Sequence, residues 1–182
     1  MMAATSTNDA TVVAALKAFL LANVVDTNIL TADEVVGYAG NRVPMPKGGY
    51  IVMNHLGKPR MSTNHKDLSG PSIVITQPTD YGVQLDCSGP NGGDWAAAIS
   101  ALWFDSVAAD FFVAYGLAPL YTTEPKHSPW TNGEGQWESR WTIDVHLQVN
   151  PSYVITTGSF TTAEISTSIV DVDDGGASIE EG

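Results

Sequence analysis

The chain has 182 residues, of which 43% are hydrophobic and 9% aromatic, a length and composition suited to one folded domain with a genuine core and unsuited to a fully disordered chain. Eight Lys and Arg stand against twenty Asp and Glu, giving a net charge of −12 and a pI near 4.4. That balance excludes tight nucleic-acid binding, which needs an excess of basic side chains to neutralise phosphates, but it suits brief contact with DNA passing a surface that repels it.

The N-terminal run from Asp9 to about Asn23 places Val12, Val13, Leu16, Phe19 and Leu20 at spacings of three and four, the pattern of one buried helical face. Asn8 or Asp9 can cap its start. No basic segment precedes the apolar run, and Asp9 and Lys17 lie in it, so an amphipathic helix is expected, not a signal peptide or a membrane span.

Next comes "NRVPMPKGGYIVMNHLGKPRMSTNHKD", Asn41 to Asp67, which holds Arg42, Lys47, Lys58, Arg60 and Lys66, five of the eight basic residues. Within it "GYIVMNHL" and "RMSTN" flank "GKP", and this turn signal predicts a β-hairpin. "SIVIT", a "QPTD" break and "YGVQLDC" repeat the arrangement, giving four candidate antiparallel strands. Tyr81, Val83, Leu85 and Cys87 alternate with Gly82, Gln84 and Asp86, as in a half-buried strand.

The period changes in "GPNGGDWAAAISALWFDSVAADFFVAYGL", where Trp95, Ile99, Leu102, Trp103 and Ser106 share one helical face. A second main helix is expected here, capped by Asn91 or Asp94 and ended by Gly116. "APLYTTEPKHSPWTNGEGQW" reads as a long loop rich in Pro, Gly, Thr and Ser. "SRWTIDVHLQVNP" alternates cleanly, with Trp141, Ile143, Val145, Leu147 and Val149 on one face, and a last edge segment covers Tyr153 to Ile155. The order implies an α+β domain: an antiparallel or mixed sheet with two main helices packed on one face. We assign residues 1–160 to a single domain and 161–182 to an acidic tail, since "DVDDGGASIEEG" has five acids, three glycines and no base.

Catalytic signals are weak. "GPNGGDW" lacks the Lys-Ser/Thr pair of a phosphate loop, and Asp94 would repel an anion, so turn plus helix cap is the reading. His55, His65, His127 and His146 show no metal-pair spacing. The lone Cys87 excludes an intrachain disulfide and a cysteine-based zinc site, and its alternation with Val83 and Leu85 makes it a small core residue. No G-x-S-x-G elbow is present. The remaining enzymatic possibility is a small hydrolase with a histidine and a carboxylate, which requires His127 or His146 near a carboxylate in a concave pocket. Tyr121, Trp130, Trp137 and Trp141 surround the long loop and serve either as its core anchors or as a contact surface.

Several stretches, taken in order, resemble the neck or tail terminator proteins of tailed bacteriophages: "NRVPMPKGGYIVMNHL" followed by "RMSTN", then "VQLDCSGPNGGDWAAAISALWFDSVAADFF", then "APLYTTEPKHSPWTNGEGQWESRWTIDVHLQVNP". The resemblance spans about Ala10 to Tyr153. It implies a non-enzymatic virion protein, assembled in the host cytoplasm, whose compact α+β subunits close into a ring, usually a hexamer, at the head-proximal end of the tail tube; the alternative within the virion is another neck, head-closure or tube subunit. The implied partners are further copies of the chain, the tail tube protein, the neck or head-completion proteins, and the sheath where the tail contracts. DNA passes through the lumen without specific binding; no cofactor, metal or membrane is implied. The candidate subunit or tube interface comprises Arg42, Lys47, Lys58, Arg60, Lys66, Tyr121, Trp130 and Trp137.

Overall fold

A computed structural model describes residues 8–26, 34–37, 48–70, 72–131, 135 and 137–156. The first half contains α1 (Asp9–Asn23), β1 (Val35–Gly37), β2 (Tyr50–Gly57), β3 (His65–Asp67), β4 (Ser72–Thr76) and β5 (Thr79–Ser88). Then follow α2 (Gly92–Trp103), α3 (Ser106–Val113), β6 (Ala118–Thr122), β7 (Lys126–His127), β8 (Trp130–Thr131), β9 (Trp137–Glu138), β10 (Arg140–Val149) and β11 (Ser152–Thr156). The fold is α+β, as the sequence implies.

The main sheet runs β1-β2-β5-β10-β6, with β7 also on β10. Only β1–β2 is parallel, so the sheet is mixed. Registers Ile51↔Cys87, Met53↔Leu85, Ile143↔Leu85 and Leu147↔Tyr81 bring the apolar alternation of three strands onto one face. The helices cover that face: α2 lies on β5 and β10, α3 on β6, and α1 on β1 and α3. Val12, Leu16, Phe19 and Leu20 of α1 are buried there, and Asn8 caps the helix by accepting from the Thr11 amide at 2.9 Å.

The segment around "GPNGGDW" is built for close approach. Gly89 has φ +103°, and a Cβ on it would stand 2.7 Å from Gly49 Cα; one on Gly92 would stand 2.5 Å from the Cys87 carbonyl oxygen, and one on Gly93 3.2 Å from the Trp141 indole. These glycines let the start of α2 settle directly on the sheet. Asn91 occupies the N-cap position, but its side chain makes no capping hydrogen bond.

The structure corrects four expectations. "RMSTN" is not the partner of "GYIVMNHL". Pro59 has no amide to extend the ladder; its carbonyl accepts from Asp80, Met61 donates to Pro78, and the segment touches β5 through a single Arg60↔Thr79 bridge. With one apolar residue in five, "RMSTN" has little to bury, and β2 pairs with β5 instead. Second, "SIVIT" and "YGVQLDC" lie in different sheets. From Ile73 to Thr76 β4 is continuously β-branched rather than alternating, and it is the centre of a separate sheet of order β11-β4-β3.

Third, the single long helix is two. Asp105 caps α3 by accepting from the Val107 amide at 3.1 Å, and the axes of α2 and α3 bend by 78°. The bend returns Phe112 to the core, 5.0 Å from Phe19 and 5.5 Å from Trp103 between ring centroids. Fourth, the long loop contains β6 and β7, which satisfy the outer edge of β10, and the β8–β9 pair. Among the described residues no single helix is long and apolar enough to cross a membrane.

Candidate functional site

Arg42 and Lys47 lie outside the described residues. Apart from Tyr121, the other candidate residues fall into two groups at opposite ends of β10. Lys58, just past β2, makes an ion pair with Asp9 at the start of α1 and stands 5.2 Å above the Tyr81 ring. Arg60 bridges to Thr79 and Lys66 lies on β3 opposite Ile75; both are exposed. Thr79 is the register partner of Val149, which fixes this group at the C-terminal end of β10.

Trp130 and Trp137 sit on the β8–β9 pair, next in sequence to Arg140 at the other end. Ten strand residues separate the two ends by about 30 Å. Trp137 is 76% exposed, so it does not anchor the loop in the core. Trp130 is half-buried, and its indole N–H finds no acceptor among the described residues.

Tyr121 belongs to a cluster that sequence reasoning missed. Its hydroxyl donates to Asp80 Oδ2 at 3.1 Å, and its ring stacks on His146 at 4.1 Å and 15°. His146 Nδ1 lies 2.7 Å from Asp80 Oδ1. Desolvation, then the hydrogen bond and charge of Asp80, push the Tyr121 phenol above its ordinary pKa. The enabling residue is Gly82, directly opposite His146, since a Cβ there would come within 3.1 Å of His146 Cε1. In sequence Asp80 belongs to the "QPTD" break, and its contact with His146 follows only from the β5–β10 register.

The rest of this sheet face, turned away from the helices, is polar. Asn54 donates to Asp86 Oδ2 at 2.9 Å and Gln84 to Asp144 Oδ1 at 3.1 Å. Burial raises the Asp86 pKa more than Arg140 and the Asn54 bond lower it. Cys87 faces the core, where burial pushes its thiol up to about 12, which removes it as a nucleophile at neutral pH.

A cleft of about 480 Å³ opens between Asp9, Lys58, Gln77, Tyr81, Val149 and Tyr153. Neither His146 nor His127 lines it; His127 is exposed and 3.3 Å from Ser139 Oγ. The hydrolase requirement is therefore met only halfway, with a His–carboxylate contact outside the cleft. Among the described residues no group of three His, Cys, Asp or Glu is gathered to hold a metal ion.

The described surface offers contact features: a basic end, an exposed tryptophan, and the small β11-β4-β3 sheet, whose main contacts are among its own strands. A comparison with curated proteins gave no match. The family of phage neck terminator proteins matches residues 10–175, beyond the point at Tyr153 where the quoted resemblance ends. The chain belongs to that family, structural proteins of the virion neck and tail that work in contact with other phage proteins.

Proposed function

We propose that the protein forms a closed ring, of six subunits, at the head-proximal end of the tail tube, where it ends tube polymerisation and joins the tail to the head-completion proteins. The family match over residues 10–175 carries this reading. The β11-β4-β3 sheet supports it: the strands pair with one another, every β4 side chain is only half-buried, and Val154 and Ile155 are exposed. Three strands with unburied faces gain stability from a further layer, and a neighbouring subunit supplies one.

In this reading the domain is 1–160 and the acidic tail 161–182, DNA crosses the lumen without specific binding, and no reaction is catalysed. The polar sheet face with Asp80, Asp86 and Asp144 suits a wall that DNA must not adhere to. Mass photometry of the purified chain should show one discrete oligomer, and virions lacking the protein should have tails of irregular length or tails detached from heads. A chain that is monomeric at micromolar concentration, or absent from virions, overturns the proposal. Loss of tail tubes altogether in the deletion identifies a tube subunit instead.

A further inference from the structure

A closed head-to-tail ring needs two different, complementary patches on each subunit. The first is the segment 56–68, where Leu56, Met61 and Leu68 are exposed between Lys58, Arg60 and Lys66. Its one acid, Asp67, is occupied in accepting from the Ser69 amide and hydroxyl at 2.9 and 2.7 Å. Lys58 is already paired with Asp9, so Arg60 and Lys66 are the cations left facing outward.

The second patch is the outer side of α3. Phe104 is 67% and Val113 74% exposed, Val107 and Tyr115 are exposed beside them, and Tyr115 stacks on the half-buried Phe111. Residues 104–115 carry Asp105 and Asp110 and no base. Each segment therefore exposes apolar side chains alongside charge of one sign, and the two signs are opposite.

Their placement prevents one patch from covering the other within a subunit. Asp9, at the N-terminal end of α1, holds Lys58, while Phe19 packs on Phe111 and Phe112 of α3 at 5.4 and 5.0 Å. The ten residue steps from Asp9 to Phe19 span about 15 Å of helix, so the patches sit at the two ends of α1.

We propose that the basic 56–68 segment of one subunit docks on the acidic, apolar α3 face of the next copy of this chain. The proposal rests on the ring reading and assigns the surfaces that close it. Opposite charges set register and steer encounter, and Leu68, Met61, Phe104 and Val113 supply the area taken out of water.

The test compares the wild-type chain with R60E/K66E, with D110K, and with the combined R60E/K66E/D110K variant, by sedimentation velocity at about 0.15 M salt. All three sites are exposed and none caps a helix, and far-UV circular dichroism verifies the fold. Each partial reversal should weaken ring formation by about tenfold or more, and the combined variant, in which the basic rim is inverted and D110K leaves the α3 rim neutral beside Asp105, should recover part of what R60E/K66E loses. Rings that form equally well in all variants, or a combined variant that is worse than either parent, overturn this interface and leave the ring reading standing. Reversals that spare the ring but release the tube protein transfer the basic patch to the tube and also overturn it. A wild-type chain that stays monomeric overturns both.

Discussion

The glycines and acids around β5 show how strongly single positions constrain this fold. Gly92 has no room for a methyl group, because a Cβ would stand 2.5 Å from the rigid Cys87 carbonyl. Gly92→Ala should cost about 1–3 kcal/mol, as overpacking does, and urea unfolding should show a lower midpoint at unchanged slope. Asp86 presents the opposite case. Its pKa is raised in the folded state, chiefly by desolvation, so its stabilising contribution is complete below the unfolded value near 3.8 and is lost as pH rises through the folded one. Asp86→Asn should therefore raise the melting temperature at pH 7, by about 1–2 °C, and the gain should vanish below the unfolded value. Of these details the sequence revealed the inward alternation of Cys87 with Leu85 and Val83, since a strand has period 2. It concealed the Asp80–His146–Tyr121 cluster, because which residues meet across a sheet depends on pairing and register, and neither is written in one strand.

At the scale of elements, local signals were legible where they were periodic and misread where pairing was a choice. The α1 face and the β10 alternation match the structure because each pattern has one satisfactory burial. "GKP" suggested a hairpin, yet β2 gains more by placing Ile51 and Met53 beside Cys87 and Leu85 under the helices. The break between α2 and α3 had a signal in Asp105–Ser106, an N-cap pair inside an otherwise helical stretch. Asp105→Ala should remove the 3.1 Å bond to Val107 and cost about 1 kcal/mol, observable as a lower unfolding midpoint. The β11-β4-β3 sheet makes a different prediction. Its backbone is paired but its faces are poorly covered, so amide exchange in the free subunit should be much faster there than in β5 and β10. Assembly should slow it, and equal protection in free subunit and assembly would show that this sheet meets no neighbour.

For the whole molecule, charge acts over two distances. Net charge of −12 makes subunits repel one another, and body centres in contact stand about 40 Å apart for a domain of this size. In the proposed interface, complementary rims meet within a few ångströms. Salt separates the two effects, because the screening length is about 30 Å at 0.01 M, 8 Å at 0.15 M and 3 Å at 1 M. Assembly measured by sedimentation should strengthen from the first condition to the second, as body repulsion is screened, and weaken from the second to the third. A monotonic rise would mean that apolar contact alone holds the assembly. Composition disclosed the global repulsion and the clustering of five bases in sequence, but the place of α3 relative to Lys58, Arg60 and Lys66 required the fold.

The two ends of α1 have a further consequence. If its first turn carries one contact and its last two turns buttress the other, the helix acts as a strut, and the turn angle between successive subunits is set by the rotation of one patch relative to the other around that strut. One residue added to α1 lengthens it by about 1.5 Å and rotates one end against the other by about 100°. Val12, Ala15, Leu16, Phe19 and Leu20 are all buried along α1, so the core forbids that rotation, and the angle between the two ends is locked by the same side chains that stabilise the fold.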